Sequence, residues 1–211
     1  MWSDDAVGGR AKRIADLVVA LPLAIALTPV MIGIGIWIRR DSPGPAIFRQ
    51  ERVGLHGRRF MLLKFRTMVM GAQSMGAGLA VEKDDARITS AGRILRKLSL
   101  DELPQLWNIV AGHMSLVGPR PTVASQVERY DARQRGRLRA RPGLTGLAQV
   151  SGRTSLPWSR RIELDLDYVE RWGMLRDLAI VLRTVVVVLS GRGTYKGSTG
   201  GFDLPEGRQG D

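Results

Sequence analysis

The sequence predicts a mainly α chain with a small β element, an α+β domain carried on one apolar N-terminal segment. Three observations predict it. Ile14 to Ile38 is apolar apart from Asp16 near its start. Residues 46–70 alternate short apolar runs with basic, glycine-rich turns, and from residue 88 apolar residues recur at helical spacing. At 211 residues the chain suits one domain with a sizeable core, and a second only if small.

A formal net charge of +12 and a pI of about 11.2, with Arg far commoner than Lys, favour polyanionic partners. Nucleic acid, anionic lipid headgroups and phosphate-rich substrates all qualify. Aromatic residues make up 6% of the chain and no run interleaves them with basic residues. That weakens single-strand nucleic-acid binding and leaves duplex binding open. Cysteine is absent, which excludes disulfides, thiolate metal sites and a cysteine nucleophile.

Basic residues flank the apolar segment: Arg10, Lys12 and Arg13 before it, Arg39 and Arg40 after it. Three readings compete. A signal peptide would use Ala24-Ile25-Ala26 as its cleavage site, but the apolar run continues well beyond it. A single spanning helix has the length and must accommodate Pro22 and Pro29. Pro29 leaves the carbonyl of Ile25 without its donor, and Thr28 can bond back to the carbonyl of Ala24 and favour a bend. A re-entrant hairpin is favoured by positive flanks at both ends, since both tend to stay cytoplasmic. No second span follows, because Leu178 to Leu189 is short and interrupted by Arg183. These residues leave span and hairpin balanced, and either places the bulk of the chain in the cytosol.

Ser42-Pro43-Gly44-Pro45 closes the membrane element. Residues 46–70 read as a hairpin turning at Gly54-Leu55-His56-Gly57, and 71–86, glycine-rich then acidic, as a mobile loop. Ile88, Ala91, Leu95 and Leu98 with Arg93, Arg96 and Lys97 predict a basic amphipathic helix, on a soluble core or at a membrane interface. A second helix is expected over 100–111, stopped by Gly112. A polar, Arg-rich helix is expected over 122–140, then a glycine-punctuated loop over 144–153. Residues 160–189 read as helical with a break near Gly173, and the tail after Gly191 as at least partly disordered.

Ser99-Leu100-Asp101-Glu102 is the densest chemical signal. Its structural reading is a capping box, with Ser99 as N-cap and Glu102 reaching back to its amide. In its functional reading, first-turn placement keeps Asp101 ionised as a nucleophile, with helix amides beside it for a phosphate and a divalent cation between two anions. Lys64, Arg66, Arg96, Arg120, Arg141 and Arg153 are phosphate-ligand candidates, each of which could equally be a solvated charge. Arg120 stands out because Pro119 and Pro121 hold it on a stiff turn. His56 and His113 lack metal-ligand spacing and read as structural. No P-loop, GxGxxG or GxSxG occurs.

Four motifs in order then carry a resemblance. They are Lys64-Phe65-Arg66-Thr67-Met68, Leu98-Ser99-Leu100-Asp101-Glu102-Leu103-Pro104-Gln105-Leu106-Trp107-Asn108, Met114-Ser115-Leu116-Val117-Gly118-Pro119-Arg120-Pro121 and Arg141-Pro142-Gly143-Leu144-Thr145-Gly146. From about Lys12 to Leu189 the chain resembles the bacterial sugar transferases, small monotopic polyprenyl-phosphate phosphoglycosyl transferases. The resemblance implies a re-entrant membrane helix over 1–40 broken near Thr28-Pro29, with Thr28 where serine is more usual. It also implies a compact cytosolic catalytic domain with interfacial helices over 41–190, and a flexible tail over 191–211.

The implied reaction moves a sugar-1-phosphate from a UDP-sugar to polyprenyl (undecaprenyl) phosphate and releases UMP. Asp101 would be the nucleophile of a two-step covalent mechanism. Glu102 would position or deprotonate the lipid phosphate or support Mg²⁺, for which Asp101 is the metal ligand. Lys64, Arg96, Arg120 and Arg153 match positions expected near substrate phosphates, Arg141 is a supporting candidate, and Asp165 matches a family carboxylate without an assigned role. His113 stands where an acidic residue is commoner. The chain lacks the additional N-terminal membrane helices of longer members and is expected to be the minimal form. Its implied place is the bacterial inner membrane, serving glycoconjugate assembly such as exopolysaccharide or lipopolysaccharide, with no nucleic-acid partner and a homodimer open. The alternatives are a basic membrane-anchored binding protein and a scaffold without catalysis. Sugar identity is not legible.

Overall fold

The structure, a computed structural model, describes residues 6–75, 85–152 and 155–189. Most of the loop expected over 71–86 (residues 76–84), Arg153 and the tail after Gly191 lie outside the described residues. The mainly α expectation with a small β element holds.

Helix α1, Gly9–Asp41, is one uninterrupted helix of 33 residues with Pro22 and Pro29 inside it. Thr28 Oγ1 donates to the carbonyl of Ala24 at 2.8 Å, the back-bond expected beside Pro29. The helix continues through Thr28-Pro29, so the step does not interrupt it. Its most apolar stretch has a mean hydropathy of 2.5 and is only 22% buried, unlike a soluble core helix. By length and composition it could cross a membrane.

Both ends of α1 are nevertheless fastened to one domain. Near the start, Arg13 donates to the carbonyls of Ile109 (2.5 Å) and Val110 (2.9 Å). Asp16 accepts from Ser115 Oγ (3.0 Å) and the Leu116 amide (2.9 Å). At the far end Asp41 accepts from the Ala91 amide (3.1 Å), and Arg66 donates to the carbonyls of Ser42 and Pro43. Between these ties Ala20 and Ala24 pack on Phe60, Leu62, Leu106, Ile109 and Met114, while Ile34 and Ile38 pack on Phe65 and Leu95.

The expected hairpin is present. Strands β1 (Ile47–Val53) and β2 (Arg59–Phe65) pair antiparallel across the predicted turn, where His56 and Gly57 have φ of 53° and 79°. Phe48 faces Lys64, Gln50 faces Leu62 and Arg52 faces Phe60. Directly paired residues share a sheet face. Because Phe60 and Leu62 enter the core, that register turns Lys64, Gln50 and Arg52 inward as well. Helix α2, Ser90–Lys97, follows with Thr89 as its N-cap, accepting from the Gly92 amide at 3.0 Å. It buries Ala91 and Leu95 and exposes Ile94.

Three sequence expectations need correction. The helix expected over 100–111 is a 3-10 turn, Leu100–Glu102, then α3, Gln105–Val110, stopped by Gly112 at φ 86° as anticipated. The long helix expected over 122–140 is only α4, Ala124–Val127, and a 3-10 turn, Gln134–Arg139. Its helical run is lost because Tyr130 and Arg137 both turn into the core. The loop expected from 144 contains β4, Gly143–Thr145, parallel to β3, Ser115–Val117, and then α5, Leu147–Val150.

The Gly118 amide donates to the carbonyl of Thr145, and the Gly143 amide to that of Pro119, each at 2.9 Å. A Cβ on Gly143 would stand 2.1 Å from the Gly118 nitrogen, so only glycine permits this approach. It presents Pro119-Arg120-Pro121 beyond the end of β3. Helices α6, Trp158–Glu170, and α7, Met174–Leu189, close the fold and break near Gly173 as expected. Asp177 at the start of α7 accepts from Lys12 (2.5 Å), Tyr168 (2.7 Å) and Trp172 (3.1 Å). This ties α7 to the start of α1, while Leu175, Leu178, Leu182 and Val186 remain exposed.

Candidate active site

Ser99 has φ 56°, a left-handed conformation uncommon for serine, and it turns the chain out of α2. Leu100 and Leu103 then pack inward against the Ile38–Phe65–Leu95 cluster, with Asp101 and Glu102 between them. The expected capping box is absent. An N-cap needs an extended backbone, which Ser99 does not have, and its side chain caps nothing. Glu102 Oε1 instead accepts from Lys64 Nζ on β2 (2.7 Å) and from Arg120 Nη2 (2.8 Å). Two cations outcompete one backbone amide for a carboxylate.

These contacts give the adjacent carboxylates opposite characters. Burial works to raise the Glu102 carboxyl, but Arg120 and Lys64 outweigh it and hold it well below the usual range. For Asp101 burial prevails: it pushes the carboxyl up, aided by the Glu102 charge and opposed by Lys64, Arg96 and Arg120. Asp101 is therefore not kept ionised by a helix N-terminus, contrary to the expectation from its place in the sequence. The turn is not an α-helical start, and the surrounding cations supply what stabilisation the charge has. The Asp101 carboxylate accepts no hydrogen bond from a described residue. Its charged neighbours are Lys64, Arg96 and Arg120 beside Glu102.

Among the candidates, Lys64, Arg96 and Arg120 all converge on this pair. Arg96 is steadied by Thr67 Oγ1 at 2.9 Å. Arg66 is engaged with the end of α1. Arg141 is buried, donates to the carbonyl of Gly112 (3.3 Å) and has Asp16 of α1 as its charged neighbour, so it is not brought to the dyad. Asp165 is buried behind the site, paired with Arg137. His113 stacks on Phe60 with ring centroids 5.7 Å apart, in keeping with a structural role.

The sequence reading missed two arginines. Arg52 reaches Gln50 Oε1 (2.5 Å) and the Pro121 carbonyl (3.4 Å), and it shares the electrostatics of Glu102 and Arg120. Burial first, then the like charge of Arg120, push it down to about 10, so it stays charged at neutral pH. Its signal was the period-2 placement of Gln50 and Arg52 on the sheet face that carries Lys64. Arg137 donates to the carbonyl of Arg120 at 3.0 Å, a contact that no local pattern marks.

No group of three or more His, Asp or Glu able to hold a metal occurs among the described residues. A divalent cation would rest on Asp101 and on substrate phosphates. Mg²⁺ is commonly held by one or two carboxylates with substrate phosphates, so the donor set fits.

A carboxylate pair among three cations, on a domain fastened along an exposed apolar helix, is an arrangement suited to phosphate-linked groups. The family of bacterial sugar transferases matches residues 7–191, and the chain belongs to it. It is 40% identical over 203 residues to the exopolysaccharide production protein ExoY of Sinorhizobium fredii, covering 90% of each chain. It is 45% identical over 192 residues to the UDP-glucose:undecaprenyl-phosphate glucose-1-phosphate transferase of Caulobacter vibrioides, covering 87% of this chain and 72% of that protein. It is 43% identical over 198 residues to the undecaprenyl-phosphate galactose phosphotransferase of Salmonella typhimurium, covering 87% of this chain and 41% of that one.

Proposed function

We propose that this enzyme transfers a sugar-1-phosphate from a UDP-sugar to undecaprenyl phosphate at the cytosolic face of the inner membrane, through a covalent intermediate on Asp101. The relatives named for that reaction support the reaction class. The observation that carries the mechanism is the division of labour in the dyad. Glu102 is engaged by two cations, whereas Asp101 stands among the same cations without a hydrogen-bond partner among the described residues.

Lys64, Arg96 and Arg120 receive the diphosphate of the donor. An Asp101 oxygen attacks the sugar-linked phosphorus, the bond to the UMP phosphate breaks, and UMP leaves with that electron pair. A phosphate oxygen of the lipid then attacks the same phosphorus. The acyl-phosphate bond breaks, which frees Asp101 and yields the polyprenyl diphosphosugar. Mg²⁺ held by Asp101 and the substrate phosphates would neutralise charge as two anions approach. Glu102, held well below the usual range, is a poor base. It serves better to aim Lys64 and Arg120 than to deprotonate the lipid phosphate.

The acceptor lives in the bilayer and the donor in water, and the same face must meet both. The two-ended attachment of α1 favours a re-entrant course over a span, since a helix tied at both ends to one domain keeps both ends on that domain's side of the membrane. The exposed apolar residues of α1 and α7 would then lie in one leaflet.

UMP release by the detergent-solubilised protein tests the proposal, with undecaprenyl phosphate, Mg²⁺ and a panel of UDP-sugars. Release with one sugar, abolished by Asp101→Asn, is expected. A folded protein that releases UMP from no UDP-sugar would contradict the reading.

A further inference from the structure

Behind the dyad lies a buried charge pair that the reaction above does not use. Asp165 on α6 is 2% exposed and Arg137 is 3% exposed. Arg137 Nη1 donates to the Tyr130 hydroxyl at 2.5 Å. Its Nη2 donates both to Asp165 Oδ2 (2.5 Å) and to the carbonyl of Arg120 (3.0 Å). The rings of Tyr130 and Trp158 flank the guanidinium, with centroids 5.6 and 5.8 Å from its carbon. A fully buried ion pair adds little stability over an apolar pair of equal volume. What it grips is therefore the informative feature.

It grips the backbone of the residue whose side chain holds Glu102. Arg120 stands between two prolines, neither of which has an amide hydrogen to anchor the turn. Carbonyls do the anchoring instead. That of Pro119 accepts from the Gly143 amide (2.9 Å), that of Arg120 from Arg137 (3.0 Å) and that of Pro121 from Arg52 (3.4 Å). Only the central contact acts on Arg120 itself, and only Arg137 has a buried carboxylate and a tyrosine fixing its own orientation. Asp165 thus orients Arg137, Arg137 holds the Arg120 carbonyl, and the Arg120 side chain is aimed at Glu102 and the space before Asp101.

We propose that the Asp165–Arg137 pair is a positioning device for Arg120, built to hold its guanidinium in line with the dyad and a substrate phosphate. The proposal rests on the transferase reading above. Neither residue touches substrate, and both act through the turn at 119–121. A displacement of about 1 Å at such a site costs on the order of a hundredfold in rate.

A double-mutant cycle tests it. UMP release is measured with radiolabelled donor, so that slow rates remain quantifiable, for wild type, Arg137→Lys, Arg120→Ala and the double variant. Arg137→Lys keeps the charge beside Asp165 but loses the planar fork that holds three partners at once. The expected loss is about a hundredfold in the native background, and only a few-fold where Arg120 has no side chain left to aim. Equal losses in both backgrounds would reduce the pair to a structural element and overturn the proposal. Should Arg137→Lys not fold, as judged by thermal unfolding, Tyr130→Phe through the same cycle decides by the same comparison. A wild type that releases no UMP would refute the transferase reading itself, an outcome distinct from independent losses in an active enzyme.

Discussion

Replacing Glu102 by glutamine removes one charge and leaves the shape of the site, and the structure fixes both the size and the pH dependence of the effect. One Glu102 oxygen accepts from Lys64 at 2.7 Å and from Arg120 at 2.8 Å. Hydrogen bonds to charged groups contribute about 1.5–3 kcal/mol each in protected surroundings. The Arg120 side chain is 46% exposed, so its share falls toward the ~1 kcal/mol of a surface pair. Glutamine still accepts through its amide oxygen, which leaves a net loss of about 2 kcal/mol at neutral pH. For a chain of this size that lowers Tm by about 4–8 °C. Because Glu102 is held below its ordinary value of 4.5, the unfolded chain binds its proton more readily than the folded one. The stabilisation is complete above that value and drains away as pH falls beneath it. Thermal unfolding of both proteins in detergent, followed by circular dichroism across pH, should show the full gap at neutral pH and a narrowing gap in acid. No loss of Tm at neutral pH, or a loss that ignores pH, would refute this account of the site.

Asp101→Asn should behave in the opposite way. Burial raises the Asp101 carboxyl above its ordinary value, so ionising it costs stability as pH rises through the carboxylate range. The asparagine variant should unfold no lower than wild type at neutral pH, with its relative advantage growing from acid to neutral in the same thermal scans, while UMP release is lost. In the wild type, UMP release should fall in acid at a higher pH than an ordinary aspartate would give, as read from a pH–rate profile. Arg52→Ala removes a cation beside Arg120 and should raise KM for the donor about tenfold, measured by steady-state kinetics.

The sequence carried much of this arrangement where one element decides the outcome alone. The Gly54–Gly57 turn, the back-bond from Thr28 to Ala24, the stop at Gly112 and the break near Gly173 each follow from local chemistry and recur in the structure. The misreadings lie where distant segments compete. Ser99 and Glu102 match a capping box, but Lys64 and Arg120 take the carboxylate. Residues 122–140 have the composition of a helix, yet burial of Tyr130 and Arg137 cuts it short. Strands β3 and β4 are three residues each and owe their pairing to the close approach of Gly118 and Gly143. Within the site, Asp101, Glu102, Lys64, Arg96 and Arg120 are visible as motif residues, whereas Arg52 and Arg137 are chosen by contacts with a turn more than fifteen residues away.

The central claim is that Asp101 carries the phosphosugar between donor and acceptor. The most direct measurement omits the acceptor: the protein is incubated with its UDP-sugar and Mg²⁺, quenched and analysed by peptide mass spectrometry. The account predicts one phosphosugar per chain on the peptide containing Asp101, UMP released in equal amount, loss of the adduct when undecaprenyl phosphate is added, and no adduct on Asp101→Asn. UMP release that requires the acceptor, with no adduct at any time in an active enzyme, would mean direct transfer between the two substrates and would contradict the claim.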